Sequence, residues 1–178
     1  ARRKTVEYAS RVAMSSPQRI SASPIVRFNL LASAFFAVVA VVSAVVFDDV
    51  FRVVIVVVSL TLFAVGVATF LIGFFAAVQR SRESEISVSQ LFFLTGEVAS
   101  RDVKAPMLAA LAVQTVAGIA TAIARPTTDG KTGSVLAFGV LVPMLGLGLN
   151  GLWASRHGVF AERGQPGEGD DSATHPDE

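Results

Sequence analysis

Four stretches of this chain are uncharged and apolar over lengths that match a bilayer: residues 30–47, 53–78, 107–124 and 134–153. The first reads LLASAFFAVVAVVSAVVF, 18 residues without an ionisable side chain. As an α-helix rising about 1.5 Å per residue it is roughly 27 Å long, enough to cross a hydrocarbon core. The second stretch is longer and must tilt or extend past the hydrocarbon. The third is alanine-rich and carries Gln114, Thr115 and Thr121, which makes it the weakest membrane signal of the four. A helix at the surface of a soluble domain keeps a polar stripe at the helical period, and the first two stretches have none. The expectation is an all-α membrane protein: four transmembrane helices in two antiparallel hairpins, with polar N- and C-terminal tails.

The connections fit that parsing. Residues 48–52 are too few for anything but a tight helical hairpin, and either Asp48 or Asp49 can cap the helix that follows. Pro106 suits the first turn of the third helix, and Ser134 can cap the fourth after the turn-like segment 125–133. This leaves a basic tail over 1–29, a central loop over 79–106 and an acidic tail over 154–178. The first span follows a polar segment longer than a signal peptide's charged start, and no small-x-small cleavage site follows it. It is therefore expected to be retained.

Lysine and arginine are unequally shared between the loops. The N-terminal tail, the central loop and the C-terminal tail hold six, four and two of them, against one and two in the first and third connections. The positive-inside rule then puts both termini and the central loop in the cytoplasm, in an inner (plasma) membrane.

Gly146, Gly148 and Gly151 spell G-x-G-x-x-G, the spacing that cradles a dinucleotide pyrophosphate. That use needs a strand before it, a soluble helix after it and an acidic residue about 20 positions on. Here the pattern lies inside an apolar span, so the glycines are read as helix-packing residues that let two backbones approach closely. Pro143, just upstream, should kink the span. Gly66 and Gly73, seven apart, share a face of the second span; Gly118 with Ala122, and Ser33 with Ala37, Ala40 and Ala44, give small faces on the third and first. Such faces close a bundle internally or dock another protein's helix. Gln114 and Asn150 are the candidate hydrogen-bonding links between helices.

Chemistry-bearing residues are scarce. No Asp, Glu, Lys, Arg or His lies inside the spans, whereas proton relays and ion pathways usually depend on such groups. The chain has no cysteine, and its two histidines, His157 and His175, lie outside the spans. The Asp48–Asp49 pair reads as helix capping. No catalytic, metal or cofactor site is expected, and the chain is expected not to be an enzyme. A net charge of +1 gives no basic field for nucleic acid.

Two polar segments invite partners. Val6, Ala9, Val12 and Ala13 recur at helical spacing, so residues 4–16 can form a short amphipathic helix whose basic residues favour anionic lipid. In the central loop, ISVSQLFFL (86–94) is too apolar for a free loop and too short to cross. Ile86, Leu91, Phe92 and Phe93 are its candidate partner contacts. Residues 162–178 are acidic and rich in Gly, Pro and Asp, the composition of a disordered tail.

The stretches SSPQRISASPIVRFNLLASAFFAVVAVVSAVVFDD, AVQRSRES and LAFGVLVPMLGLGLNG resemble small four-span membrane proteins of actinobacteria, in particular the LucB-type accessory subunits found with Mce lipid importers. The resemblance covers about residues 4–158. It implies a non-catalytic helper bound beside an Mce-type permease that imports fatty acids or sterols, and it implies no catalytic residue. The reading is thus an accessory or stabilising subunit among other integral membrane subunits. A self-contained small transporter or channel is the alternative.

Overall fold

The structure, a computed structural model, describes residues 23–162. The expected amphipathic helix over 4–16 and most of the acidic tail lie outside the described residues. Four helical spans are long and apolar enough to cross a membrane. They are α1 (Pro24–Val46), α2 (Asp49–Arg80), α4 (Arg101–Ala124) and a composite of a 3₁₀ helix (Val135–Leu141) running into α5 (Pro143–His157). A short α3 (Val88–Phe93) lies in the central loop. Among the described residues there are also four two-residue strands, with β1 (Ser84–Glu85) pairing β4 (Ala161–Glu162) and β2 (Thr127–Thr128) pairing β3 (Lys131–Thr132).

Each helix outruns its apolar stretch, because hydropathy marks only the uncharged part. α1 starts at Pro24, whose fixed φ suits a first turn. α2 starts on Asp48, whose carboxylate accepts the Phe51 amide at 2.9 Å. Ser134 caps the 3₁₀ helix by accepting the Leu136 amide at 3.1 Å. Pro106 does not sit in a first turn. α4 begins at Arg101, so the proline falls inside the helix, where it has no amide to give to the Asp102 carbonyl. The acidic tail likewise begins later than expected. α5 runs to His157, and the Val159 amide then donates to the Val98 carbonyl at 3.2 Å.

Successive spans alternate in direction, but the closest packing is between spans that run the same way. Along α1 and α4, Asn29 lies against Met107, Ser33 against Gln114 and Ala44 against Arg125. Along α2 and α5, Gly66 lies against Leu145 and Gly73 against Gly151. The two-residue link Phe47–Asp48 makes α1 and α2 sequence neighbours, yet α2 packs chiefly on the fourth span and α1 on α4. The fourth span is the most enclosed element. It lies against all three others, while α1, α2 and α4 expose long apolar faces.

Among the described residues, two clusters make up the core. One, built on Phe36, Ala40, Ile55, Leu136 and Val142, lies towards the Phe47 end of the bundle. The other, at the Arg80 end, joins Val26, Met107, Leu145, Leu149 and Trp153 to Leu91, Phe92, Leu94 and Val98 of the central loop. That loop is therefore part of the core.

Candidate functional site

Three buried polar side chains of the spans, Asn29, Ser33 and Gln114, meet at one point. Gln114 of α4 is fully buried. Its Nε2 donates to Ser33 Oγ at 2.7 Å and to Asn29 Oδ1 at 3.2 Å, and its Oε1 accepts the Gly146 backbone amide at 3.1 Å. Ser33 Oγ in turn donates to the Asn29 carbonyl at 2.7 Å, and Asn29 Nδ2 points at Met107 Sδ, 3.5 Å away.

The knot answers a backbone problem. Pro143 has no amide, so the fourth span cannot continue as one regular helix through it. The chain instead runs as a 3₁₀ helix to Leu141 and starts a fresh α-helix at Pro143. A helix start leaves amides without partners, and in an apolar interior each must find one. The Val142 amide takes the Gly139 carbonyl at 3.1 Å, the Leu145 amide takes the Val142 carbonyl at 2.8 Å, and Gly146 takes Gln114.

The candidate glycines all lie at close approaches inside the bundle. A Cβ on Gly66 would come within 2.5 Å of the Leu145 nitrogen, and one on Gly73 within 2.7 Å of the Gly151 carbonyl carbon. One on Gly118 would reach the Gly139 oxygen at 2.5 Å. The G-x-G-x-x-G residues face three different neighbours: Gly146 the Gln114 amide, Gly148 the Gly66 oxygen and Thr69 hydroxyl, Gly151 the ring of Phe92. Glycines around a phosphate would converge on one point; these surround a helix.

Asn150 is fully buried, and its Nδ2 donates to the Phe92 carbonyl at 2.9 Å. That bond anchors α3. Ser87 and Gln90 form a reciprocal cap at its start, with the Gln90 amide on Ser87 Oγ at 3.2 Å and the Ser87 amide on Gln90 Oε1 at 3.0 Å. Leu94 ends the helix at φ 52°. Leu91 and Phe92 then point into the bundle, 4% and 5% exposed, with Phe92 stacked on Phe70 at 4.3 Å between centroids. As partner contacts these two must be withdrawn: the surface they cover is the chain's own. Ile86 is half-buried, and Phe93 remains exposed, as does Val88.

At the Phe47 end, a charged cluster ties the connections together. Arg52 bridges Asp129 at 2.8 Å and Asp49 at 3.2 Å. Phe47, held at φ 46°, has the guanidinium of Arg52 4.5 Å from its ring centroid and that of Arg125 5.0 Å away. Arg125 Nε also donates to the Ala44 carbonyl at 3.1 Å. Positive φ at a phenylalanine is strained, and two cations on the ring offset part of that cost.

No family, curated protein or solved structure matches this chain. Among the described residues there is no group of three or more acidic or histidine side chains placed to hold a metal ion. The residue that sequence reasoning missed is Asn29, assigned to the tail but fully buried in the knot. A signal for it was available: Asn29 and Ser33 stand one helical turn apart, at the spacing of a shared face.

Proposed function

We propose that this protein is a non-catalytic accessory subunit that stabilises a larger inner-membrane assembly, with a lipid importer of the Mce type as the candidate host. One observation carries this reading. The buried polar side chains Asn29, Ser33 and Gln114 bond to one another and to the Gly146 backbone amide, so they act as a lock between helices. A bundle locked in this way offers its surroundings shape. Its outer face gives a partner helix somewhere to lie. α4 is the least hydrophobic of the four spans, and it turns Ala105, Ala109 and Ala112 outward. Small outward residues suit helix–helix contact in a membrane better than contact with lipid. The resemblance to accessory subunits of lipid importers points the same way.

Orientation belongs to the proposal. The Arg80 end, with α3 and the β1–β4 pair, faces the cytoplasm, and the Phe47 end faces the opposite side. The lack of cysteine makes this directly testable. In intact cells a membrane-impermeant maleimide should label Asp129→Cys and leave Ser87→Cys unlabelled; the reverse pattern inverts the topology. The assembly itself is tested by tagging the full chain, extracting it in mild detergent or native nanodiscs and identifying what comes with it. Stoichiometric integral membrane subunits are expected. A lone monomer in every extraction overturns the reading.

A further inference from the structure

The central loop leaves the bundle, re-enters it and leaves again. Ser84 and Glu85 pair with Glu162 and Ala161, beyond the last residue of α5. Further along, the Phe92 carbonyl accepts from Asn150, which lies well within α5. The Val98 carbonyl then accepts the Val159 amide, past the end of α5 once more. α3 is the inward limb, and Leu94, at φ 52°, begins the turn back.

Helix rise gives the depth of this excursion. Gln114 and the Gly146 amide are bonded, so they stand at one level. From there the nearest charged residues towards the Arg80 end are Lys104 on α4 and Arg156 on α5, each ten residues away, or roughly 15 Å. Asn150 is four residues away, or roughly 6 Å. The Phe92 carbonyl therefore lies roughly 9 Å nearer the middle of the bundle than those charges. The Phe92 ring agrees, stacked on Phe70, which precedes Arg80 by ten residues.

Backbone at membrane depth needs partners from the protein. The Phe92 carbonyl has Asn150, and the Leu94 amide takes the Ser89 carbonyl. The side chains are sorted as well. Leu91 and Phe92 enter the bundle, while Gln90 and Thr95 border an open cleft. Phe93, adjoining Phe92, is 48% exposed. An apolar ring exposed at that depth has acyl chains for its surroundings.

We propose that residues 86–95 form a re-entrant segment, which dips from the Arg80 end into the adjoining leaflet and contacts its acyl chains through Phe93. The inference requires only that the bundle crosses a bilayer. It holds whichever way round the protein sits and whatever it assembles with.

The test uses the full chain in phosphatidylcholine nanodiscs. The chain has no cysteine, so a nitroxide can be attached singly at Phe93→Cys, at Glu97→Cys beyond the turn, and at Phe75→Cys on the exposed face of α2. Collisions with oxygen, which concentrates in hydrocarbon, are compared with those of a water-soluble nickel chelate. Oxygen should dominate at Phe93 as it does at Phe75, and the chelate should dominate at Glu97. Chelate dominance at Phe93 alone overturns the proposal. Access of neither reagent to Phe93 also overturns it, since a second copy or residues 1–22 would then cover the ring. Chelate dominance at both Phe93 and Phe75 removes the whole bundle from the bilayer and the proposal with it. If Phe93→Cys fails to fold, the unsubstituted chain makes the same reading with a phosphatidylcholine carrying a diazirine on an acyl chain. After irradiation, peptide mass spectrometry should find adducts within residues 86–94 and none over 95–100; the absence of adducts from 86–94 overturns the proposal.

Discussion

α2 and α5 run side by side, yet they are built on opposite plans. α2 has 32 residues, dominated by valine, leucine and phenylalanine, and fully buries none of these. α5 has 15 residues, three of them glycine, and buries ten. In a soluble protein the more hydrophobic helix would be the inner one. Here the order is reversed. Lipid is as apolar as leucine, so large aliphatic side chains gain little by turning inward, and the interior goes to residues that allow close backbone contact or hydrogen bonds. On α2 itself, the face turned to α5 and the 3₁₀ helix is Ser59, Gly66 and Gly73 at seven-residue spacing, while Val53, Val57 and Leu60 face out.

The harshest way to break this contrast is to put a side chain into the α2–α5 seam. Gly148 faces backbone and a short hydroxyl, neither of which can move aside as a long side chain would. Gly148→Leu is therefore expected to cost more than about 3 kcal/mol, beyond the usual overpacking range, and to abolish monodisperse recovery. Val57→Leu on the outer face should stay within about 0.5 kcal/mol of the parent. Melting of both variants in one detergent decides the point: equal stability would mean that the seam is not as tight as drawn.

The same contrast explains what could be read in advance. Four spans, the Asp48 and Ser134 caps and the break at Pro143 were legible, because apolar length, capping chemistry and a missing amide are local properties. Pairing of spans was not. A span surrounded by lipid carries no polar stripe to say which side faces in, so sequence adjacency suggested hairpins while the structure packs α1 on α4 and α2 on α5. The seven-residue 3₁₀ helix was also invisible, since it depends on how the chain approaches Pro143 and on the close contact of Gly139 with Gly118 of another helix. Leu91 and Phe92 were recognised as sticky, but an apolar loop segment does not announce whether it docks on its own bundle or on another protein. Asn150, which decides that question, lies 58 residues away.

A milder probe separates polar packing from exposed polarity. Gln114→Ala leaves the Gly146 amide and the Asn29 and Ser33 side chains without their common partner. Thr61→Ala removes only a hydroxyl that donates to its own helix, at the exposed face of α2. Interhelical hydrogen bonds in membranes contribute about 0.6–2 kcal/mol each, so the first change should cost about 1–2 kcal/mol and the second near zero. Steric trapping in bicelles measures both. If the two variants prove equally stable, the amides at the Pro143 break find other partners, and the knot is a consequence of packing with no share in holding it.

The smallest expected effect lies outside the apolar interior, at the Phe47 end. Arg52 is 20% exposed and Asp129 70% exposed, so their 2.8 Å bridge reaches water on the aspartate's side. Such pairs contribute about 0.2–1 kcal/mol, screened by salt. Arg52 has a second role that Asp129 lacks, lying over the ring of Phe47, whose backbone is held at positive φ. A double-mutant cycle on Arg52→Gln and Asp129→Asn should therefore return a coupling of about 0.5 kcal/mol that shrinks in concentrated salt. Arg52→Gln alone should cost more than Asp129→Asn alone, by the cation–ring contribution of about 0.5–1 kcal/mol. That surplus should disappear in a Phe47→Gly background. Glycine takes the positive φ without strain and has no ring to cover. If the surplus survives there, it comes from the Asp49 bridge or from the buried Nε of Arg52, and the ring does not hold the turn.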